Sequence, residues 1–249
     1  MIAIFPDPES LNQAAAELFV SVAIRAATAR GRFTIALSGG ATPYGTYQLL
    51  AQLPYRDQVP WQKVHVFWGD ERCVPEDDPR SNSGRARRTF FDLVPIPASQ
   101  VHPIRCGPEP RADAARYESV LRAFFSDGRP RFDLVFLGLG ENGHTLSLFP
   151  GAPVLEEDDR WVAEVYIAEE DQYRISLTAP AVNQASLVVF LVSGATKARV
   201  LHRVLKGPRE PLLLPAQLID PVAGELRWMV DRDAASHLKH HLYSVGPTE

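Results

Sequence analysis

The chain has 249 residues, of which 45% are hydrophobic and 22% are charged, a composition typical of a folded globular protein and not of a disordered one. The formal net charge of -4 argues against a general nucleic-acid-binding protein, because affinity for a phosphate backbone comes mainly from clustered cations. No run approaches the roughly 18 apolar residues of a membrane span, and the N-terminus lacks a signal peptide pattern, so we expect a cytoplasmic protein without membrane contact.

Short apolar strands alternate with helices along the chain. The segment IAIF at the start predicts a strand, and Asp7-Pro8 predicts the N-cap and first position of an alanine-rich helix that ends near Arg30. Further strands are predicted at 33–37, 64–67, 132–137, 174–178 and 187–192. Helices are predicted after Thr42-Pro43, at about 82–91, at 110–125 and at 195–205. This alternation predicts an α/β fold with a mostly parallel sheet, and we assign residues 1–249 to one domain.

Some residues invite other interpretations. Cys73 and Cys106 are expected to form neither a disulfide framework nor a metal motif, which favours a reducing compartment. His237 and His241 are four positions apart, but without a third ligand nearby we interpret them as surface residues. The arginine-rich segment 80–88 is interpreted as a solvated helix face and not as an RNA-binding patch.

Ligands of an open parallel sheet bind beyond the carboxyl ends of its strands. Four polar loops follow predicted strands: SGGATP, GDER, GLGENGH and SGATK. The first loop is suited to an anion, because glycine backbone N–H groups, the hydroxyls of Ser38 and Thr42 and a helix N-terminus all come together there. A plain tight turn is the alternative. The loop lacks the lysine and the spacing of a nucleotide P-loop, and Lys197 is a candidate for the missing cation.

The run GLGENG matches the G-x-G-x-x-G pattern of dinucleotide sites, but Pro150 and Gly151 follow too soon for the long helix that such a site needs. We therefore interpret it as a loop that presents His144 as a general base. A lone histidine is more often structural. Acidic and basic residues at nearby strand ends favour chemistry on a phosphorylated sugar: Asp70, Glu71, Arg72, Glu141, Arg174 and Lys197.

The segments SGGATP, GDERCVPEDDPRSNSG and GLGENGHTLSLFPG, in that order, closely resemble the signature segments of the 6-phosphogluconolactonase family. RISLTAPAVNQA, FLVSGATKARVL and LPAQLIDPVAGELRWMVDRDAA extend the resemblance over nearly the whole chain. The resemblance implies a Rossmann-like α/β/α domain that hydrolyses 6-phospho-D-glucono-1,5-lactone, the second step of the oxidative pentose phosphate pathway. It also implies that no metal or organic cofactor takes part. The partner is then the small phosphosugar lactone, and the chain is a monomer or a homodimer.

Carried over to this sequence, the resemblance implies that the 6-phosphate is held by Ser38, Gly39, Gly40, Thr42 and Lys197, with Arg174 as an additional contact. His144 is then the catalytic base, and Arg72 or backbone N–H groups stabilise the oxyanion. Asp70, Asn142 and Gly143 complete the substrate-binding set.

One position departs from the family pattern. The family has Asp-Gly-His where this chain has Asn142-Gly143-His144, so Asn142 hydrogen-bonds to the imidazole but supplies no charge, and Glu141 is the candidate substitute.

Two rival functions share the expected fold. Glucosamine-6-phosphate deaminases carry a glutamate five residues after the histidine, where this chain has Phe149, so hydrolysis is favoured over deamination. A sugar-phosphate sensor would bind the same ligand without turnover. Such regulators normally carry a DNA-binding module. Because the first strand is predicted to begin at Ile2, we expect no N-terminal helix-turn-helix here. A binding protein without catalysis stays an alternative because of Asn142.

Overall fold

The computed structural model describes residues 1–126 and 128–238. Within these residues the α-helices are α1 (Pro8–Arg30), α2 (Ala41–Leu50), α3 (Tyr55–Gln58), α4 (Asn82–Thr89), α5 (Pro110–Phe124), α6 (Ala179–Val182) and α7 (Ala198–Lys206). The strands are β1 (Ile2–Phe5), β2 (Phe33–Leu37), β3 (Val64–Trp68), β4 (Asp70–Arg72), β5 (Val101–His102), β6 (Leu134–Leu137), β7 (Val162–Ile167), β8 (Gln172–Leu177), β9 (Leu187–Val192) and β10 (Glu225–Asp231). Short 3-10 helices connect several of them, among them Ala195–Lys197 directly before α7.

The central sheet has seven strands in the order β1-β10-β9-β6-β2-β3-β5, and every pairing in it is parallel. Every residue of β2, β6 and β9 is buried, as expected for a parallel sheet covered on both faces. Helices flank the sheet, and α1 packs against β2 and β10. The predicted α/β fold with a mostly parallel sheet is confirmed. The buried apolar side chains form one contiguous cluster, and the assignment to one domain stays a prediction.

The first elements form where the sequence predicts them. Asp7 is the N-cap of α1, where its carboxylate accepts a hydrogen bond from the Ser10 N–H at 2.7 Å, and Pro8 is the first helical residue. The helix ends at Arg30 as predicted. Strand β1 then pairs with β10, which joins the two ends of the described chain within one sheet.

A second sheet, which the sequence analysis does not predict, contains β4, β8 and β7 in antiparallel order. Residues 70–72 were interpreted as a loop because three charged residues carry no strand pattern, yet they pair with β8 residue for residue. Residues 174–178 do form a strand for most of their length, but outside the parallel sheet. This small sheet carries Asp70, Arg72 and Arg174.

The expectation that the cysteines are unpaired is wrong, because Cys73 and Cys106 form a disulfide with their Cα atoms 4.8 Å apart. Cys73 directly follows β4 and Cys106 follows β5, and the fold brings these two loops together although 33 positions separate them in sequence. Spacing along the chain gives no sign of this proximity. Because the two cysteines are paired, they no longer favour a reducing compartment. The cytoplasmic location stays a prediction.

Arg87 and His237 lie at the surface. Arg87 pairs with Glu76 and Asp92 at 3.2 and 3.4 Å, which fits the solvated helix face expected there. His237 is exposed and His241 lies outside the described residues, so that pair is not tested. Within the described residues, no helix is long and apolar enough to cross a membrane, and no group of three or more metal-ligating side chains is assembled.

Candidate active site

A cleft of about 360 Å³ opens beyond the carboxyl ends of β2 and β6, beside the small antiparallel sheet. Its position follows the rule for open parallel sheets. The residues that line it come from all four of the predicted loops and from three further places in the chain: Ser38, Gly39, Gly40, Asp70, Arg72, Asn82, Gly138, Leu139, Gly140, Glu141, His144, Leu146, Arg174 and Lys197. The structure therefore brings together nine of the twelve residues predicted to form the site.

The Ser-Gly-Gly loop lies between β2 and α2. The backbone of Ser38 is fixed from behind by Tyr47, whose hydroxyl donates to the Ser38 carbonyl at 3.1 Å and accepts from its N–H at 3.2 Å. Gly40 is the N-cap of α2 and makes no side-chain capping bond, so the start of this ten-residue helix faces the cleft with its positive dipole end. The loop can accommodate an anion there.

His144 lies against Gly140, which explains a glycine of the GLGENG run. A Cβ atom on Gly140 would overlap the imidazole ring, so only glycine allows the ring to occupy this place. The Gly140 N–H donates to the His144 carbonyl at 2.8 Å, which closes the loop. Gly143 has φ +87°, a conformation that favours glycine, and packs against Leu214. Gly140 is therefore required by the position of the His144 ring.

Asn142 fixes the orientation and the tautomer of the His144 ring. The Asn142 Oδ1 atom accepts from the His144 backbone N–H at 3.1 Å, which identifies it as the amide oxygen. The same oxygen lies 2.6 Å from the ring Nδ1. Because a carbonyl oxygen only accepts, Nδ1 must carry a proton, and the unprotonated nitrogen of the neutral ring is Nε2. The ring is thereby prepared to accept a proton at Nε2.

Burial is the main cause that lowers the pKa of His144, to about 4. The Asp70 carboxylate raises the pKa, while the charges of Arg174 and Lys197 lower it. Around neutral pH the imidazole is therefore neutral, as a general base requires.

Three cations lie in the cleft. Arg72 and Arg174 are direct partners in the β4–β8 register, so two like charges face each other. Arg174 is buried, and its Nη2 donates to the two carboxylate oxygens of Glu170 at 2.6 and 2.7 Å. The buried Nε atoms of Arg72 and Arg174 have no hydrogen-bond partner among the described residues. Lys197 lies 3.8 Å from Glu141 across the cleft. The arrangement favours a bound anion, which would relieve the repulsion.

Asp70 and Asn82 form a polar floor in the cleft. The Asp70 carboxylate accepts from the Ser147 hydroxyl at 2.7 Å and from the Asn82 amide at 3.3 Å. Asn82 is not among the predicted site residues, because its place at the start of a predicted helix gives it no site role. Glu71, named beside the site residues, points away from it: its carboxylate accepts from the N–H groups of Asn82 and Ser83, both at 2.7 Å, and so caps α4.

Three predicted residues do not line the cleft. The Thr42 hydroxyl pairs with the Ser193 hydroxyl at 2.7 Å, which ties the first turn of α2 to the loop after β9. Asn142 contacts His144 from outside the cleft, and Gly143 packs against Leu214.

A family comparison decides the affiliation of the chain. The model of the family described as glucosamine-6-phosphate isomerases/6-phosphogluconolactonase matches residues 6–228. The chain belongs to this family. Its membership confirms the family expected from the sequence motifs, and the mostly parallel sheet agrees with it.

Curated and solved members of the family match nearly the whole chain. The 6-phosphogluconolactonase of Synechocystis sp. is 43% identical over 220 residues, which are 86% of this chain and 88% of that protein. The crystal structure of the devB protein superimposes with a TM-score of 0.87 at 35% identity, over 96% of this chain and 100% of that one. The 6-phosphogluconolactonase from Trypanosoma cruzi gives 0.84 at 26% identity, over 96% of each chain.

Proposed function

We propose that the chain is an enzyme, a carboxylic ester hydrolase that opens 6-phospho-D-glucono-1,5-lactone to 6-phospho-D-gluconate. The names of its relatives support the lactone as substrate. The observation that carries the proposal is a neutral imidazole, fixed through Nδ1, in one cleft with a Ser-Gly-Gly loop and three cations. Placement in the oxidative pentose phosphate pathway follows from this substrate and product.

The phosphate of the lactone is bound at the Ser-Gly-Gly loop. The start of α2 and the Lys197 ammonium together supply positive potential there, and Ser38 supplies a hydroxyl. Glu141 pairs with Lys197 at 3.8 Å and is displaced from it by the phosphate. Thr42 supports the loop through Ser193.

His144 activates water in this mechanism. Nε2 takes a proton from a water molecule whose oxygen attacks the C1 carbonyl of the lactone, which gives a tetrahedral intermediate. The C1–O5 bond then breaks, and the proton on Nε2 passes to the ring oxygen as it leaves. Asn142 holds the proton on Nδ1 throughout and so keeps Nε2 as the reacting nitrogen.

Arg72 stabilises the oxyanion that forms on the carbonyl oxygen. It lines the cleft, and its Nη1 donates to the Arg80 carbonyl at 2.7 Å, so the guanidinium is already oriented. A preorganised donor of this kind is often worth a factor of about 10²–10³ in rate. The alternative of a deaminase loses support, because the position expected to hold its glutamate is Phe149, whose ring packs on His144.

Substrate comparison tests the phosphate assignment. We expect Lys197→Ala to raise KM for the phosphorylated lactone by about 10–100-fold, since a charge-assisted contact is lost, and to leave the slow turnover of unphosphorylated D-glucono-1,5-lactone unchanged. Lys206→Ala, at the exposed C-terminal end of α7, the helix that directly follows Lys197, is the matched control. Equal effects of Lys197→Ala on both substrates would remove Lys197 from the phosphate site.

A further inference from the structure

Phe149 makes a contact that the proposed mechanism does not use. Its ring stacks on the His144 imidazole, with the ring centroids 4.1 Å apart and the planes 15° from parallel. The guanidinium carbon of Arg174 lies 5.2 Å from the centroid of the same phenyl ring. Phe149 therefore touches both the base and one of the cations of the cleft, but it does not itself line the cleft.

A tight turn brings Phe149 back to the histidine. The Leu148 N–H donates to the Thr145 carbonyl at 3.0 Å, and Leu146 adopts a positive φ of 53°, a strained conformation for this residue. The Thr145 hydroxyl donates to the Gly138 carbonyl at 2.8 Å and so fixes the turn to the end of β6. Position 149 is thus set by the backbone, and its ring is directed at His144 by a fixed scaffold.

The stack determines what surrounds the imidazole. Parallel rings at this separation leave no room for water between them, so one face of His144 is shielded by carbon. The charged groups that act on the ring come from other elements: Asp70 on β4, Arg174 on β8, Lys197 before α7 and Glu170 before β8. Asn142 holds one edge of the ring, and the Phe149 ring lies against one of its faces.

We propose that Phe149 is a positioning residue for the hydrolysis: its ring holds the His144 imidazole in the orientation that keeps Nε2 available to water, and it shields one face of the ring from solvent. This inference rests on the proposed function for the reaction, but the contact with His144 is independent of it. Removal of the phenyl ring admits water to the imidazole face and allows the ring to turn.

Substitutions at Phe149 are tested by two measurements on the full-length protein. NMR titration of the His144 imidazole, assigned by comparison with His144→Gln, follows its pKa without turnover. Steady-state hydrolysis of the phosphorylated lactone gives kcat and KM separately. Phe149→Leu is the main variant, and Phe149→Met, whose longer and more flexible side chain adapts better to the space of the phenyl ring, is used if the leucine variant does not fold. Phe149→Tyr keeps the aromatic stack and serves as the conservative rescue.

A second phenylalanine in this chain provides a matched control. Phe124 is also half-buried, its ring centroid is 4.8 Å from that of His65, and the Arg32 guanidinium carbon lies 4.7 Å from its centre. It is remote from the cleft-lining residues. The His65 and Phe124 ring planes are 56° apart, so this contact is tilted and not stacked. Phe124→Leu therefore removes a phenyl ring from a histidine and an arginine without touching His144.

We expect Phe149→Leu to raise the pKa of His144 by about one unit or more, as solvation of the charged form improves. We expect kcat to fall about tenfold or more while KM stays close to the wild-type value. Phe149→Tyr restores both, and Phe124→Leu changes neither. A folded Phe149→Leu or Phe149→Met variant with unaltered His144 pKa and unaltered kcat would overturn the proposal. Absence of hydrolysis by the wild type contradicts the proposed function, and the titration then decides the role of Phe149 separately.

Discussion

The disulfide between Cys73 and Cys106 gives a stability prediction whose size follows from its position. It closes a loop across 33 positions. The chain-entropy relation for a loop of this length gives about 3.7 kcal/mol at 25 °C, within the range of about 2–5 kcal/mol typical for loss of a native disulfide. We therefore expect the Cys73→Ser/Cys106→Ser variant to unfold with a free energy lower by about 2–4 kcal/mol.

Equilibrium unfolding in urea, with and without dithiothreitol, measures this difference. Reductant is expected to bring the wild type to the stability of the double-serine variant and to leave that variant unchanged. Because the Cys73 N–H also donates to the Tyr173 carbonyl at 3.0 Å, β4 stays paired with β8 after reduction, and we expect the folded reduced protein to retain lactone hydrolysis. Two titratable thiols in the native protein prepared without reductant, or an unfolding midpoint that dithiothreitol does not change, would refute this reasoning.

Three further predictions concern histidines. Burial lowers the pKa of His65 and of His102 in the folded protein, that of His102 to about 4, below the unfolded value of about 6.5. Their contribution to stability is therefore complete above pH 6.5 and is lost as the pH falls toward 4. Urea unfolding of His102→Gln should show a smaller loss of stability over this pH range than the wild type, and an identical pH dependence would contradict the prediction. Gly140→Ala places a Cβ atom against the His144 ring, so kcat should fall at least about tenfold while the circular dichroism spectrum stays unchanged. Wild-type turnover in this variant would disprove the close approach of the His144 ring to Gly140. Asn142→Asp adds a negative charge beside the His144 Nδ1 atom and should raise the pKa of His144 by about 1–3 units. The acid limb of the pH–rate profile should shift to higher pH by the same amount, and an unshifted limb would count against the contact between residues 142 and 144.

The regular elements were predictable because their patterns are local. The apolar runs of β2 and β9 and the Asp7-Pro8 start of α1 are encoded within a few residues, and each forms as expected. The small antiparallel sheet was not predictable in this way, since Asp70–Arg72 is a strand only through its pairing with β8.

The site was predictable to the extent that its residues follow strands. Whether any other residue lines the cleft depends on contacts between segments that are distant in sequence. Asn82 reaches the cleft because the Glu71 carboxylate holds the start of α4, a contact between two segments that the local pattern around Asn82 does not encode. The contact between Phe149 and His144 depends on the turn at Leu146, whose positive φ has no sequence signal because leucine rarely adopts it.

The most direct test of the account compares wild-type protein with His144→Ala in the hydrolysis of 6-phosphogluconolactone. The lactone is generated in situ, the product is coupled to NADP reduction, and the spontaneous rate of opening is subtracted. His202→Ala, an exposed histidine on α7, is the control for loss of a histidine as such. We predict a wild-type rate far above the spontaneous one, retained in His202→Ala and lost in His144→Ala. Wild-type activity in a folded His144→Ala variant would contradict the assignment of the general base, and a wild-type rate equal to the spontaneous rate would contradict the proposed function.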